Sequence, residues 1–531
     1  MTKMSRFGNP RALVQELSGK ILFVSLFACT GAFTLGFDNA WWGGVLGNAY
    51  FNNVYGDLSV TQASGAVVHS LSSTQQSAGT ALGQAGVAIG CLAGGWFADK
   101  VGRKNTFYWS AAAATCGCIV QLTSGINGGR YWQLVAGKII ICISTGLSAT
   151  AIPLYLAETS PASIRGAAIT TFGVFQTIGS FSAILVMFLV ANLLDKRVWC
   201  VPMGIQLLGP IATFIFAPFL PESPRWLVEK GHLERARNVL QYLHGHRPAF
   251  DVDHELGHLE ATIKAKLALG KTSWVDIFRG SNGKRTFIAT GLQALQQAQG
   301  INFMGSYLVI FFQQLGFTNA FEILLIIQAV LLTLSCTNFV IQDYFGRRPL
   351  LLIGGAVQSV TMLAVGIITT VYPQPVGSYG KLCLFFVFMW NVAFASTWGN
   401  IPWTVSAELP SDEVRDKTLA LSAFSAYATG LVVAEVSPYL QNPGYANLGG
   451  KIAYVWGGFG VIATIWVFFF VPELKGRTLE EIVWMFDRKV PLRKMGSTEI
   501  PGDTLPITVT PASQEVEALD KKETELEHLD S

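Results

Sequence analysis

The chain has 531 residues, of which 51% are hydrophobic and 13% charged, with a mean hydropathy of +0.41; a soluble protein of this length carries about twice that share of charge. Its net charge of +3 is too small to imply a nucleic-acid partner. Composition therefore excludes an ordinary soluble domain and makes the lipid bilayer the expected surroundings.

A polar segment, 1–20, holds Lys3, Arg6, Arg11 and Lys20 and leads straight into an apolar run with no cleavable signal. Runs of about 20 residues cross a hydrocarbon core of roughly 30 Å. They are expected at approximately 21–46, 78–98, 106–124, 131–153, 167–193 and 200–220, then at 286–315, 322–342, 349–372, 381–407, 416–440 and 451–472. The fold class is an all-α membrane protein with twelve transmembrane helices. The loop 47–77, with Asp57 and His69, has no Lys or Arg, whereas Lys100, Arg103 and Lys104 follow the second span. By the positive-inside rule both termini are cytoplasmic.

The charged loops repeat. "DKVGRK" (99–104) matches "DYFGRR" (343–348), "ETSPASIRGA" (158–167) matches "ELPSDEVRDK" (408–417), and "PESPRWLVEKG" (221–231) matches "PELKGRTLEEI" (472–482). Three pairs at nearly one offset divide the chain into a six-helix bundle, 21–220, a cytoplasmic linker, 221–285, and a second bundle, 286–486. Parallel repeats with a central site between them are one architecture of secondary transporters. In the linker, Leu233, Ala236, Leu240 and Leu243 are spaced as one apolar helix face, so short helices should lie under the bundles. The Glu-rich tail, 487–531, is expected to be disordered and cytoplasmic. The eight cysteines lie mostly inside apolar runs and read as small core residues, and no metal site is expected.

Two features stand out inside the spans. "QALQQAQGIN" places Gln293, Gln296 and Gln297 on one helix face. Buried amides cost roughly 1–3 kcal/mol each unless paired, and amides suit a polyhydroxylated ligand because they both donate and accept. Asn302 would point elsewhere on an unbroken helix; a break at Gly300 could return it to that cavity. The second feature is Asp38, an acid within the first span. By the helical rise it lies about 26 Å from Ile21, and Lys138 lies about 12 Å from Arg130 on the antiparallel fourth span. Lys138 is the basic residue set well inside a span, so the two should be neighbours.

"GGWFADKVGRK", "PLYLAETSPASIRGA", "PESPRWLVEKG", "QALQQAQGIN", "DYFGRR", "IPWTVSAEL" and "PELKGRTLEEI" resemble the sugar-porter branch of the major facilitator superfamily across about 20–485, and "NLGGKIAYVWGG" looks most like fungal hexose and α-glucoside permeases. The resemblance implies two pseudo-symmetric six-helix bundles and a central site exposed alternately to either side. It carries Gln296, Gln297 and Asn302 onto sugar-contacting positions and Trp403 onto a stacking or gating aromatic. It implies a sugar substrate, a monomeric functional unit, no cofactor, and the plasma membrane. Acids and arginines of opposite halves, among Arg103, Glu158, Arg165, Arg347, Glu408 and Arg415, would act as a cytoplasmic gate, pairing when the inner mouth is closed and separating when it opens. The Asp38–Lys138 site corresponds to the proton-coupling position, with Lys where Arg is usual; facilitative relatives also carry an acid there.

Several positions depart from the family pattern. Gly173 stands where an amide is usual, and Gln176 one turn on can substitute; Leu331, Ala395, Asn400 and Ala426 replace other expected polar or special residues. The expected function is alternating-access transport of a hexose or α-glucoside by proton symport. A facilitative uniporter and an exporter of a polar or glycosylated metabolite are the alternatives. A non-transporting sensor ranks last, the tail being about 45 residues past Phe486. An enzyme is not expected, for want of a phosphate cradle, metal cluster or nucleophile–base pair.

Overall fold

A computed structural model of the protein describes residues 19–498, apart from 62–66, 127, 162–164, 246–249, 269–272, 318, 338–343, 373–376, 412, 443 and 478. The Arg165 side chain and the tail beyond Thr498 lie outside the described residues.

Helices follow one another in the order the apolar runs predict. Span 1 is Gly19–Leu46, interrupted at Cys29; span 2 is Ser73–Val101, span 3 Arg103–Thr123, span 4 Tyr131–Thr159, span 5 Arg165–Val190 and span 6 Arg197–Phe219. Span 7 is broken into Gly280–Ala298, Ile301–Ser306 and Leu308–Gln314. Span 8 is Ala320–Ser335, span 9 Arg347–Val371, span 10 Ser378–Glu408, span 11 Arg415–Gln441 and span 12 Gly449–Phe470. Among the described residues nine of these are long and apolar enough to cross a membrane. Span 3 falls short because small and polar residues build much of it, span 7 because it is broken, and span 8 because 16 residues of it are described.

Two ends differ from the apolar-run reading for local reasons. Span 2 starts five residues early because Ser72 and Gln75 form a capping box that holds a polar first turn in the helix. Span 4 runs through Pro153 to Thr159 and so delivers Glu158 to its end. The loop after span 1 also holds an unanticipated hairpin, β1 Leu58–Thr61 against β2 Val67–Ser70, antiparallel with Ser59 opposite His69. The hairpin marks one end of the molecule, the hairpin end.

The packing repeats with the sequence. Span 1 lies on span 5 as span 7 lies on span 11, and span 3 lies on span 4 as span 9 lies on span 10. Between halves, span 2 meets span 11 and span 5 meets span 8. Glycines allow the tightest approaches: Gly36 faces the Gln176 carbonyl and Gly146 the Val87 carbonyl so closely that a Cβ has no room. Small residues at such seams let helices associate where the bilayer supplies no hydrophobic drive between them.

Beyond span 6 come three linker helices, Pro224–Glu229, Leu233–His244 and Val252–Ala268. Ala236, Leu240 and Leu243 of the expected apolar face are buried, whereas Leu233 is 38% exposed. Leu243 joins Val24, Phe107, Ile152 and Tyr155 in one cluster, which seats the middle helix beneath the first half. This is the linker end.

Candidate transport site

Asp38 and Lys138 are neighbours, as their depths required. Lys138 Nζ donates to Asp38 Oδ2 at 2.9 Å, and the two side chains are 4% and 2% exposed. Gln206 Nε2 of span 6 donates to the other oxygen at 2.9 Å, and Cys142 Sγ lies 3.5 Å from Oδ2. The ammonium also sits 4.7 Å from the ring centroid of Trp42, whose Nε1 donates to Thr80 Oγ1 at 3.1 Å. The carboxylate is thus satisfied at both oxygens, which is what makes a buried charge tolerable. If Asp38 took up a proton, Lys138 would lose its counter-charge and keep the indole face, a weaker cation partner. Gln206 was absent from the sequence-based set. Its signal was present, an amide in an otherwise apolar run, and it is the same signal that marked span 7.

The central amides form a chain. Gln84 Nε2 of span 2 donates to Asn302 Oδ1 at 2.9 Å, Asn302 Nδ2 to Gln297 Oε1 at 3.1 Å, and Gln297 Nε2 to Gln296 Oε1 at 3.4 Å. Gln296 Nε2 ends it on the main-chain oxygens of Trp398 and Gly399, at 2.6 and 3.0 Å. Those carbonyls are offered by a π-helical turn, Phe394–Trp398, in span 10; such turns displace the regular ladder and recur at functional sites. Gly300 is left-handed, φ 91°, and a side chain there would meet Trp456. The break turns Asn302 back toward Gln297.

The three glutamines do not act alike. Gln293 is fully buried, its Nε2 3.4 Å from Ser406 Oγ of span 10, and Gln296 is buried against the π turn. Gln297, Asn302 and Gln176 are half-buried, and Trp403 is 40% exposed. Gln84 is the central residue that sequence reasoning missed.

At the linker end two ion pairs lie within halves. Arg103 Nε and Nη2 each donate at 2.9 Å to the two oxygens of Glu158, and Arg347 Nη2 donates to Glu408 Oε1 at 3.0 Å. The expected gate pairs across halves when the linker side is closed, and these two pairs lie within halves. Arg103 opens span 3 and Glu158 closes span 4, which are packed neighbours, so the nearest carboxylate belongs to the same half. Glu222 and Glu473 have matching places. Glu222 Oε1 accepts from the Arg103 N–H at 2.9 Å, and Glu473 Oε1 from the Arg347 N–H at 3.1 Å. Each caps a helix N-terminus, where a negative charge is favoured. Gly102 and Gly346, with φ 97° and 89°, keep clear the space that these carboxylates fill. Burial pushes the Glu222 carboxyl above its ordinary range, against the backbone N–H groups of Ser223, Lys104 and Arg103 that pull it down. Because Arg103 and Glu158 are 4% and 5% exposed, Arg103→Gln should destabilise the protein by about 3–5 kcal/mol, the cost of breaking a buried pair. Thermal unfolding of the purified protein checks this; an unchanged midpoint would show the pair to be dispensable.

Side-chain bonds join the halves from mid-depth to the hairpin end. Besides Gln84–Asn302, Ser77 Oγ donates to Glu435 Oε1 at 3.1 Å, Tyr307 OH to the Gln76 carbonyl at 3.1 Å, and Gln313 Nε2 to the Gly47 carbonyl at 2.8 Å. Asn442 Nδ2 reaches Ser73 Oγ at 3.1 Å. The halves are therefore drawn together on that side of the amide chain.

A family model described as sugar (and other) transporter matches residues 24–486. A high glucose sensor of Saccharomyces cerevisiae is 32% identical over 481 residues, which cover 88% of this chain and 61% of the sensor. The chain thus spans about three fifths of that relative's length. A high-affinity fructose transporter of Schizosaccharomyces pombe is 30% identical over 480 residues, 87% of this chain and 86% of its own. The inward open xylose transporter XylE of E. coli shares the fold, with a TM-score of 0.71 and 23% identity over 88% of this chain and 99% of its own.

Proposed function

The chain belongs to the sugar (and other) transporter family, and from that premise we propose that it carries a hexose or α-glucoside across a membrane by alternating access, coupled to a proton. The family is one of transporters, not enzymes. The observation that carries the reading is the amide chain from Gln84 to Gln296, which spans both halves at mid-depth. A sugar between the halves would exchange hydroxyl bonds with Gln297, Asn302 and Gln176 and rest on Trp403. Gln293 and Gln296 hold span 7 to span 10 behind that surface. With both termini and the linker cytoplasmic, the hairpin end faces outward and is the closed side. The plasma membrane is the proposed location, and one chain is the working unit.

Proton coupling is supported by Asp38, a carboxylate satisfied by Lys138 and Gln206 in the interior of the first half. The same burial also supports a second reading, uniport, in which the ion pair is permanent. Uptake of radiolabelled glucose and maltose in yeast lacking its own sugar carriers separates the two. Concentrative uptake that a protonophore collapses is expected. Uptake that only equilibrates and ignores the protonophore would establish uniport, and no uptake of either sugar by surface-exposed protein would remove the proposal.

A further inference from the structure

Where span 12 ends and span 7 begins, the surface holds a cavity of about 360 Å³ that the transport site does not use. Its walls are apolar and include Phe287, Phe470, Phe486 and Leu492, and its lining also holds Lys284 and Lys489. Phe287 and Phe470 meet edge to face at 5.8 Å, yet remain 51% and 37% exposed. They stand at the ends of spans, so their open faces look toward lipid.

The short helix Leu479–Asp487 closes the other side. It is fixed to the base of span 7 by Asp487, which accepts from Ser281 Oγ at 2.6 Å and pairs with Arg285 at 3.4 Å. Asp487 is therefore committed. Among the described residues neither Lys284 nor Lys489 has a carboxylate partner, and both are exposed. Arg493 lies close by on the faces of Phe468 and Phe469, at 4.3 and 5.2 Å from their centroids. An apolar groove with two uncompensated ammonium groups, at the level where spans leave the membrane, is complementary to a molecule with an anionic head and a hydrocarbon tail. A free anion would leave the aromatic walls unused.

We propose that this groove binds an anionic glycerophospholipid of the linker-side leaflet, its phosphate held by Lys284 and Lys489 and an acyl chain laid on Phe287 and Phe470. The leaflet assignment rests on the membrane reading above. Such a lipid would clamp the C-terminal helix to span 7, the helix that carries Gln296 and Gln297. Occupancy would thereby set how firmly span 7 is held at its base.

The full-length protein, purified in detergent, is titrated with short-chain phosphatidylserine, short-chain phosphatidylcholine and inorganic phosphate, and binding is read by thermophoresis. Saturable binding of phosphatidylserine alone is expected. In the double variant Lys284→Gln/Lys489→Gln it should weaken roughly thirtyfold, since each cation at an anionic membrane surface contributes about a fivefold factor. Phe287→Ala should weaken it too, and gel filtration verifies that each variant is folded. Equal binding of phosphatidylcholine, unchanged binding by the double variant, or competition by inorganic phosphate at lipid-like concentrations would each overturn the proposal. Because binding is read without transport, its failure leaves the carrier reading intact, and failed uptake leaves the lipid site intact.

Discussion

Asp38→Asn is expected to reduce sugar accumulation to simple equilibration while the protein still reaches the membrane. A proton falling through 100 mV releases about 2.3 kcal/mol, enough to sustain a sugar ratio of about fiftyfold. That ratio should drop to one in the variant. Asn cannot take up or release a proton, so the proposed coupling through the Asp38–Lys138 contact is lost. The amide keeps the shape and can still meet Gln206 Nε2 through its oxygen. Losing the counter-charge of buried Lys138 still costs stability, so surface expression is measured alongside, and exchange of labelled for unlabelled sugar should persist in the protein that reaches the membrane. Lys138→Met breaks the same buried pair from the other side, leaving a carboxylate without its cation, at about 3–5 kcal/mol. Should Asp38→Asn still accumulate sugar, the ion pair is structural and the proton, if there is one, travels elsewhere.

Gln297→Leu is expected to raise the half-saturating sugar concentration by about tenfold or more, with surface expression unchanged. The side chain occupies nearly the same volume, so the variant tests hydrogen bonding rather than packing. A buried polar partner left unsatisfied costs about 1–3 kcal/mol, or roughly a five- to 150-fold change in affinity. Both the substrate and Asn302 Nδ2 would lose a partner, the latter now held at 3.1 Å. Gln84→Leu should have a smaller effect on affinity and a larger one on turnover, since Gln84 touches Asn302 from the opposite half. Concentration dependence of initial uptake rates is the measurement. An unchanged half-saturating concentration in Gln297→Leu would place the sugar elsewhere.

Depth along a helix was legible in the sequence because the rise per residue is fixed; direction around the helix was not. Depth sufficed to bring Asp38 and Lys138 together, and a glycine in the right place sufficed to break span 7 before Asn302. Direction decides the rest. Gln293, Gln296 and Gln297 share a face by spacing, but that face is wide enough for the first two to turn into span 10 while the third stays at the centre. Arg103 could be assigned to the linker end from charge alone. That its partner is Glu158 follows only from span 3 lying beside span 4. Gln84 and Gln206 were readable as lone amides in apolar runs, yet what they bind depends on neighbours over a hundred residues away.

The amide chain has a polarity. A main-chain carbonyl can only accept, so the oxygens of Trp398 and Gly399 oblige Gln296 to turn its nitrogen toward them and its oxygen toward Gln297. That choice propagates through Gln297 and Asn302 to Gln84, and none of the four can flip without breaking the series. Gln296 spends both amide hydrogens on the π turn, whereas Gln84, Asn302 and Gln297 each spend one. Each amide oxygen in the series also keeps at least one lone pair, since an amide oxygen can accept two bonds and none here accepts more than one. Gln84, Asn302 and Gln297 can therefore meet either an oxygen or a hydroxyl proton of a ligand, whereas Gln296, its hydrogens spent, has only a lone pair left to offer and can answer a hydroxyl proton but not a ring oxygen.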